Sequence, residues 1–508
     1  MTACDDESLT GTARYNLRQQ PEKRISILDL KNKELLFLNS AMTEQNPFNS
    51  TADILSWLRE RNNEVQVTIR KIRFSELKQW HFAPDTGNLV HDSGKFFSIE
   101  GIHVKTNWGA VNEWTQPIIN QPEIGYLGII TKIFDGVLYF LMQAKVEPGN
   151  INNVQISPTL QATKSNYTQV HKGGKSLYLE YFINQSEHTV LLDQLQSEQG
   201  ARFLKKRNRN IILHVEDEIP VHDDFCWMTL GQIKKLIHTD NTVNMDTRTV
   251  ISGISYGNFQ SDVADFYNSV SPDTGKENTF SKGLLKSLID CENSLYSFDD
   301  ILSWLTQLKC EYELVTDHVP LKYVTGWSRN DYEIYDEVQK YFKVIAVDVG
   351  ISSREVQQWT QPLIEPAQEG ICAFIVKEIN GIYHFLIQAK VECGNMDILE
   401  IAPTVQCMTG NYKNTSKGNL PFLEYVLTCS PDQVCYSCYQ SEEGGRFYQE
   451  QNKNVVIEAG NSFPVDIPNN YNWLTLNQLL AFLKFNNFLN IQARSLVSSL
   501  IFCTHEPG

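Results

Sequence analysis

The chain has 508 residues, a formal net charge of −16 and ordinary apolar content, so it is long enough for two to four domains with full cores. That charge argues against a general nucleic-acid or anionic-membrane binder, which needs a positive footprint, but leaves room for a small anionic ligand held by a few local cations. No apolar run reaches the length of a membrane span, and the polar, acidic first residues do not read as a signal peptide, so the expectation is a cytoplasmic protein with reduced thiols.

In chain order, residues 1–45 read as an arm or partly ordered extension. The pattern turns regular at Ser50, three residues before Asp53 in "DILSWL", an N-capping arrangement ahead of an apolar run. The same hexapeptide returns at Asp300 with Ser297 three residues before it. Then "IGYLGIITKIFDGVLYFLMQAKVE" forms two apolar runs around Asp135-Gly136, a hairpin signal that the later part of the chain writes as Asn380-Gly381. The second strand ends in "QAKVEPGN". Alternation puts Leu138, Phe140, Met142, Ala144 and Val146 on a core face and Gln143, Lys145 and Glu147 on the other. In "VQISPTLQAT", Gln155, Ser157, Thr159 and Gln161 are expected opposite Val154, Ile156, Pro158, Leu160 and Ala162, with Pro158 demanding an edge or a bulge. Helix-like segments, "MTLGQIKKLI" and "LTLNQLLAFLKF", close the two halves.

These elements repeat. Gln143–Tyr167 and Gln388–Tyr412 are identical at 13 of 25 positions at an offset of 245, and "WTQP" and "QSExGxRF" recur at nearly the same offset. A repeat of this length is a whole domain. The division expected is an arm at 1–45, a module at 46–238, a linker without counterpart at 239–293 that contains "SPDTGKEN", and a second module at 294–508. Each module is expected to be α+β, a mixed or antiparallel sheet flanked by helices. Between the copies core residues drift (Met142 to Ile387, Leu160 to Val405), whereas Gln143, Lys145, Glu147, Gly149, Asn150, Thr159, Gln161, Asn166 and Tyr167 are retained. A merely solvated sheet face should drift faster than a core, so this set points to a polar ligand site in each copy. There are 11 cysteines, and the lone CxxC, Cys435 and Cys438, reads as packing thiols rather than a zinc or redox pair.

"HDSGKFFSIEGI", "WTQPII", "QAKVEPGN", "SPTLQATKSNY" and "QSEQGARF" together resemble the NDP-hexose 2,3-dehydratases, from about Asp53 to Leu500. The resemblance implies two Nudix-like modules, a homodimer and a dTDP-sugar pocket in each module. The implied reaction is a lyase step on an NDP-4-keto-6-deoxyhexose that gives a 3,4-diketo-2,6-dideoxy sugar, needs no cofactor and feeds a downstream NADPH-dependent 3-ketoreductase. No glutamate-rich Nudix signature is visible, which speaks against metal-dependent pyrophosphate cleavage, and no GxGxxG or Walker loop is present.

Such chemistry needs a base for the C3 proton, donors for the enolate and an acid for the departing hydroxyl. Glu147 beside Lys145 suits base and electrostatic stabiliser, and His91 and His171 are proton carriers in the neutral range. For the substrate the candidates are Lys95, Trp114 as a stacking face, Gln116, Gln143, Asn150, Thr159, Gln161, Asn166, Tyr167, Glu198 and Arg202, the last as a diphosphate fork. Their counterparts for the second pocket are Trp359, Gln361, Gln388, Lys390, Glu392, Asn395, Thr404, Gln406, Asn411, Tyr412 and Arg446. At the same offset His91 becomes Asp336, His171 becomes Ser416 and Glu100 becomes Ile345, so the first copy is expected to carry the chemistry and the second to bind. A non-catalytic nucleotide-sugar-binding protein and a C3 epimerase of the same ketosugar are the competing readings. Spacing alone does not rank Glu147, Lys145, His91 and His171 as the base.

Overall fold

The serines before both "DILSWL" segments do cap helices. Ser50 and Ser297 each accept from the backbone N–H three residues on, and Asp53 and Asp300 return the bond to the serine N–H, closing capping boxes on the helices Thr51–Glu64 and Phe298–Glu311. The hairpin turns are equally local in origin: Asp135-Gly136 and Asn380-Gly381 all have positive φ, the conformation of a tight two-residue turn. The computed structural model describes residues 32–167, 176–256, 279–290, 292–354, 356–407 and 420–502, without the side chains of 166, 167 and 279. It is α+β, and among the described residues no helix is long and apolar enough to cross a membrane.

Each copy builds one seven-stranded mixed sheet. In the first, Arg207–His214 runs parallel to Gly125–Phe134, which forms the antiparallel hairpin with Val137–Val146. In the second, Gln451–Glu458 runs parallel to Gly370–Ile379, which pairs with Ile382–Lys390. Two five-stranded antiparallel sheets complete the fold, and both draw on the two copies. Val67–Ile72 leaves its own copy to pair with Phe342–Ile351, while Leu314–Val319 pairs with Ser98–Thr106. This reciprocal strand exchange, the geometry of a domain swap within one chain, merges the modules into one body. The largest apolar cluster accordingly runs through both.

Two stretches differ from the expected division. Helix Lys33–Met42, in the expected arm, buries Leu35, Leu36, Phe37 and Leu38, and its Ser40 hydroxyl donates to the Leu138 carbonyl and accepts from Leu230 N–H. Helix Thr279–Ile289, in the expected linker, does the same in the second copy through Ser287, Tyr383 and Leu476. The linker also begins with a counterpart: helix Met245–Ser252 matches Ile491–Ser498, and the two helices pack together. The short matches of the repeat faded here because apolar identities drift while the cap asparagines, Asn244 and Asn490, persist. "SPDTGKEN" lies outside the described residues.

The expected faces of "VQISPTLQAT" also change. Val154 and Ile156 join the cluster between the copies, whereas Leu160 and Ala162 join the cluster on the other side of the sheet. The chain crosses at Pro158-Thr159, from the edge of Val137–Val146 to that of Gly125–Phe134.

Candidate active site

The crossing creates the site. The hairpin is paired only as far as Ile130 opposite Leu141, and beyond that point its strands part. Thr159 closes the fork: its hydroxyl accepts from Ile130 N–H at 2.9 Å and donates to the Leu141 carbonyl. Thr404 makes the same bridge between Ile375 and Leu386. Retention of this threonine therefore has a structural cause. Where the strands diverge, Gln143, Lys145, Glu147 and Gln161 face a cavity of about 890 Å³, at the large end of the range for small-molecule sites.

The other wall comes from the second copy. The turn after Glu147 docks on the "QSEEGGRF" loop, with Gly149 N–H donating to Gly444 O at 2.7 Å and Gln449 N–H to Gly149 O at 2.7 Å. A Cβ on Gly149 would overlap the Phe447 carbonyl, and one on Gly444 would overlap the Asn150 amide. The equivalent turn, Glu392 to Asn395, docks on Gly200 and Phe203 in the same manner. The repeated octapeptide is thus also the junction between copies, which explains the retained Gly149 and Asn150. The loops place Arg446 and Glu443 in the first cavity, beside Trp359 and Gln361. Trp359 Nε1 donates to Gln361 Oε1 at 2.7 Å, Gln361 Nε2 to Gly445 O at 2.9 Å, and the Arg446 guanidinium lies 4.2 Å over the Phe97 ring.

A relay orients Glu147. Ser157 Oγ and Asn244 Nδ2 both donate to Gln161 Oε1, at 3.0 and 3.3 Å, so the Gln161 amide turns its Nε2 to Glu147 Oε1 at 2.7 Å. Glu147 is thereby held as an acceptor, and its Oε2 is buried without a hydrogen bond. Lys145 Nζ lies 3.3 Å from Gln161 O. Asp246, at the start of Met245–Ser252, reaches the same cavity with Oδ1 buried and unbonded. Burial, with Glu443, Glu147 and Glu198 nearby, pushes its carboxyl well above the ordinary range. Glu443 is pushed up to about 7, first by burial, against the pull of Arg446. Lys206, whose Nζ donates to Asn208 Oδ1 at 2.9 Å, is pushed down to about 8 by burial, with Glu198 opposing. On the aromatic wall His91 packs edge-on to Trp80 and Phe96. Its Nδ1 accepts from Ser93 N–H at 3.1 Å, which leaves the proton of the neutral ring on Nε2, and burial lowers its pKa.

The candidates are therefore regrouped by the strand exchange. Glu147, Lys145, His91, Gln143, Thr159 and Gln161 line the first cavity, joined by Trp359, Gln361 and Arg446 from the set expected in the second. Trp114 and Arg202 do not line the first cavity: Trp114 packs on the cluster that contains Cys393, and Arg202 sits 4.2 Å over Phe342 and faces Glu450 and Glu392. Gln116 binds Trp114 and Ala201. Around Glu392 the second relay is intact: Asn490 donates to Gln406 and Gln406 to Glu392 at 2.9 Å, with Gln388 bonded to Pro403 O and Lys390 over the Trp108 ring. Glu198 is buried behind the first cavity and accepts from Asn208 at 2.7 Å, and Lys95 is exposed away from the lining. His171, Asn411 and Tyr412 lie outside the described residues, as do the side chains of Asn166 and Tyr167. Cys435 and Cys438 are both free thiols on one strand.

Asp246, Glu443 and Lys206 were not singled out from the sequence, although a signal was there. Across the repeat they stand opposite Gln492, Gln199 and Glu450. Extending the copy comparison past His238 and into the "QSExGxRF" loops would have found them.

The comparisons with known proteins agree on one family. The sequence model described as NDP-hexose 2,3-dehydratase matches residues 51–254 and 298–500. A dTDP-4-dehydro-6-deoxy-alpha-D-glucopyranose 2,3-dehydratase of Saccharopolyspora spinosa is 46% identical over 466 residues, 91% of this chain and 94% of the relative. Proteins of the same description from Amycolatopsis orientalis and Streptomyces violaceoruber are 40% and 41% identical, covering 92% and 88% of this chain and 94% and 96% of their own.

Proposed function

The chain belongs to the NDP-hexose 2,3-dehydratase family, and from that premise we propose that it is a lyase acting on an NDP-4-keto-6-deoxyhexose, with dTDP-4-keto-6-deoxyglucose as substrate, to give a 3,4-diketo-2,6-dideoxy sugar. The observation that carries the reading is the first cavity, where Glu147, held as an acceptor, stands beside Lys145 in a space that suits a nucleotide sugar. The C4 ketone acidifies the C3 proton. Glu147 takes it as base, and Lys145 bears on the charge that moves toward the C4 oxygen. His91, carrying a proton on Nε2, donates to a sugar oxygen. Trp359 offers a flat face, and Arg446 and Lys206 offer cations for the diphosphate. Loss of the C2 hydroxyl balances oxidation at C3, so the step draws on no redox cofactor.

In the same reading the module centred on 46–238 carries the chemistry, and that centred on 294–508 binds a nucleotide sugar in its own pocket. Each is Nudix-like, a reading supported by the mixed sheet with helices packed on it. The chain works as a cytoplasmic homodimer, and its diketo product passes to an NADPH-dependent 3-ketoreductase. The test is incubation of the purified protein with dTDP-4-keto-6-deoxyglucose and no added cofactor, followed by mass spectrometry. Protein-dependent loss of one water supports the proposal, and an unchanged mass with binding intact overturns it in favour of a binding protein.

A further inference from the structure

We propose that Asp246 is the general acid that protonates the departing C2 hydroxyl, an assignment that rests on the reading of the first cavity given above. Three observations converge on it. First, Asp246 is placed by the fold and not by chance of a loop. Val154–Ser157 bridges to the segment at Val243, Asn244 N–H donates to Ile156 O at 2.9 Å, and Thr247 Oγ1 donates to the same carbonyl at 3.1 Å, so the helix begins at the cavity wall. Second, Asp246 is only 3% exposed, lines the cavity, and has an oxygen without any hydrogen bond. An unbonded buried carboxyl oxygen is costly unless a ligand meets it. Third, its neighbours set its proton inventory. Burial and the carboxyls of Glu443, Glu147 and Glu198 favour the neutral acid, with Lys145 opposing. Glu147, fixed by Gln161 as an acceptor, is the base of the pair. A carboxyl that favours the neutral acid and a second one held as an acceptor on the same cavity are the arrangement for acid and base roles.

The equivalent positions across the repeat supply the contrast. Gln492 stands where Asp246 does, and Gln199 stands where Glu443 does. Both are buried with amide atoms unbonded. An amide can bind a sugar hydroxyl, but it cannot deliver a proton.

The step balances. Glu147 takes the C3 proton, and the C–H electron pair moves toward C4 as an enolate. The pair returns as the C2–O bond breaks, and Asp246 gives its proton to that oxygen, releasing water. The enol left at C2–C3 tautomerises by losing the C3 hydroxyl proton and gaining one at C2. Glu147 ends protonated and Asp246 ionised, and solvent exchange resets them. Substrate loses one water and nothing is oxidised overall.

The experiment follows exchange and elimination separately, using dTDP-4-keto-6-deoxyglucose in deuterium oxide and its 2-deoxy-2-fluoro analogue. The Asp246→Asn variant is expected to recover substrate one mass unit heavier at C3, while water loss falls by roughly 10²- to 10⁴-fold. It is expected to release fluoride from the analogue at nearly the wild-type rate, because fluoride leaves with far less help from an acid. Glu147→Gln is expected to lose exchange and both eliminations. In the wild type, dehydration should fall at high pH, as Asp246 gives up its proton, while fluoride release persists. This last measurement needs no variant to fold. An Asp246→Asn protein of unchanged melting temperature that loses exchange together with elimination, or that dehydrates like wild type, overturns the assignment. Coincident pH profiles for the two substrates in the wild type overturn it as well. A wild-type protein that removes no water at all overturns the reading beneath it.

Discussion

The first cavity and the equivalent region around Glu392 share a frame and differ in the groups that titrate. Each has a forked hairpin closed by a threonine, an asparagine–glutamine–glutamate relay, and a lysine two residues before the glutamate. Each also has an arginine from the opposite loop 4.2 Å over a phenylalanine. Against that frame Asp246, Glu443, Lys206 and His91 of the first stand opposite Gln492, Gln199, Glu450 and Asp336 of the second. Duplication kept this frame and let the titratable set around it diverge. The sharpest way to break this comparison is to treat both relays alike. Glu147→Gln is expected to lower kcat by roughly 10²- to 10⁴-fold, the usual worth of a general base, with KM nearly unchanged. Glu392→Gln is expected to stay within about tenfold of wild type, since it removes at most a hydrogen bond to a bound ligand. Steady-state kinetics on the two variants decides it, and equal losses would erase the distinction between the pockets.

The strand exchange makes a second, smaller effect diagnostic. Trp359→Ala and Arg446→Ala, both in the second copy, should raise KM of the first pocket by roughly tenfold to a hundredfold, about 1.4–3 kcal/mol of lost stacking or charge-assisted bonding. Trp114→Ala and Arg202→Ala, in the first copy, should leave that KM within about threefold, because their side chains lie outside that cavity, against the Cys393 cluster and Phe342. The reverse pattern would mean that each pocket is built within its own copy.

Sequence reasoning reached as far as patterns with local causes. The capping boxes at Ser50 and Ser297 and the turns at Asp135-Gly136 and Asn380-Gly381 depend on a few adjacent residues, and the structure has them as read. The polar set of the octapeptide was legible as special, but its reasons were mixed. Glu147 faces the cavity, Thr159 closes a fork, and Gly149 lets two backbones touch. The exchange was not legible, because Val67–Ile72 pairs equally well on paper with a strand of either copy, and only packing decides. Gly149 offers a test that treats the copies as equals. Gly149→Ala and Gly394→Ala would each drive a methyl into a carbonyl of the facing loop. Each is expected to cost about 1–3 kcal/mol, read as a lower melting temperature of similar size in both. A loss confined to one would show that the junctions are not equivalent.

The smallest expected effect separates the pockets by the sign of a pH slope. Glu450, buried with both carboxyl oxygens unbonded, is pushed up to about 8, first by burial, with Arg202 opposing and Glu442 adding. In the unfolded chain it titrates near ~4.3. A raised folded value means that the native state holds the proton more tightly, so the stability it contributes is full below ~4.3 and is lost as pH rises through about 8. Glu450→Gln mimics the protonated acid, so its melting temperature should match wild type at acid pH and exceed it at alkaline pH. Lys206, at the equivalent place in the first pocket, is pushed down to about 8 from ~10.4. Its depressed value favours the native state only above ~10.4, and that contribution is lost as pH falls through about 8. Lys206→Met should therefore exceed wild type at neutral pH and converge with it as pH climbs. Differential scanning calorimetry across pH would show the two differences opening in opposite directions. A flat difference for Glu450→Gln would mean that Arg202 keeps that carboxylate ionised at every pH, and the two positions would then be an ion-paired acid and a buried base rather than opposite responses to the same burial.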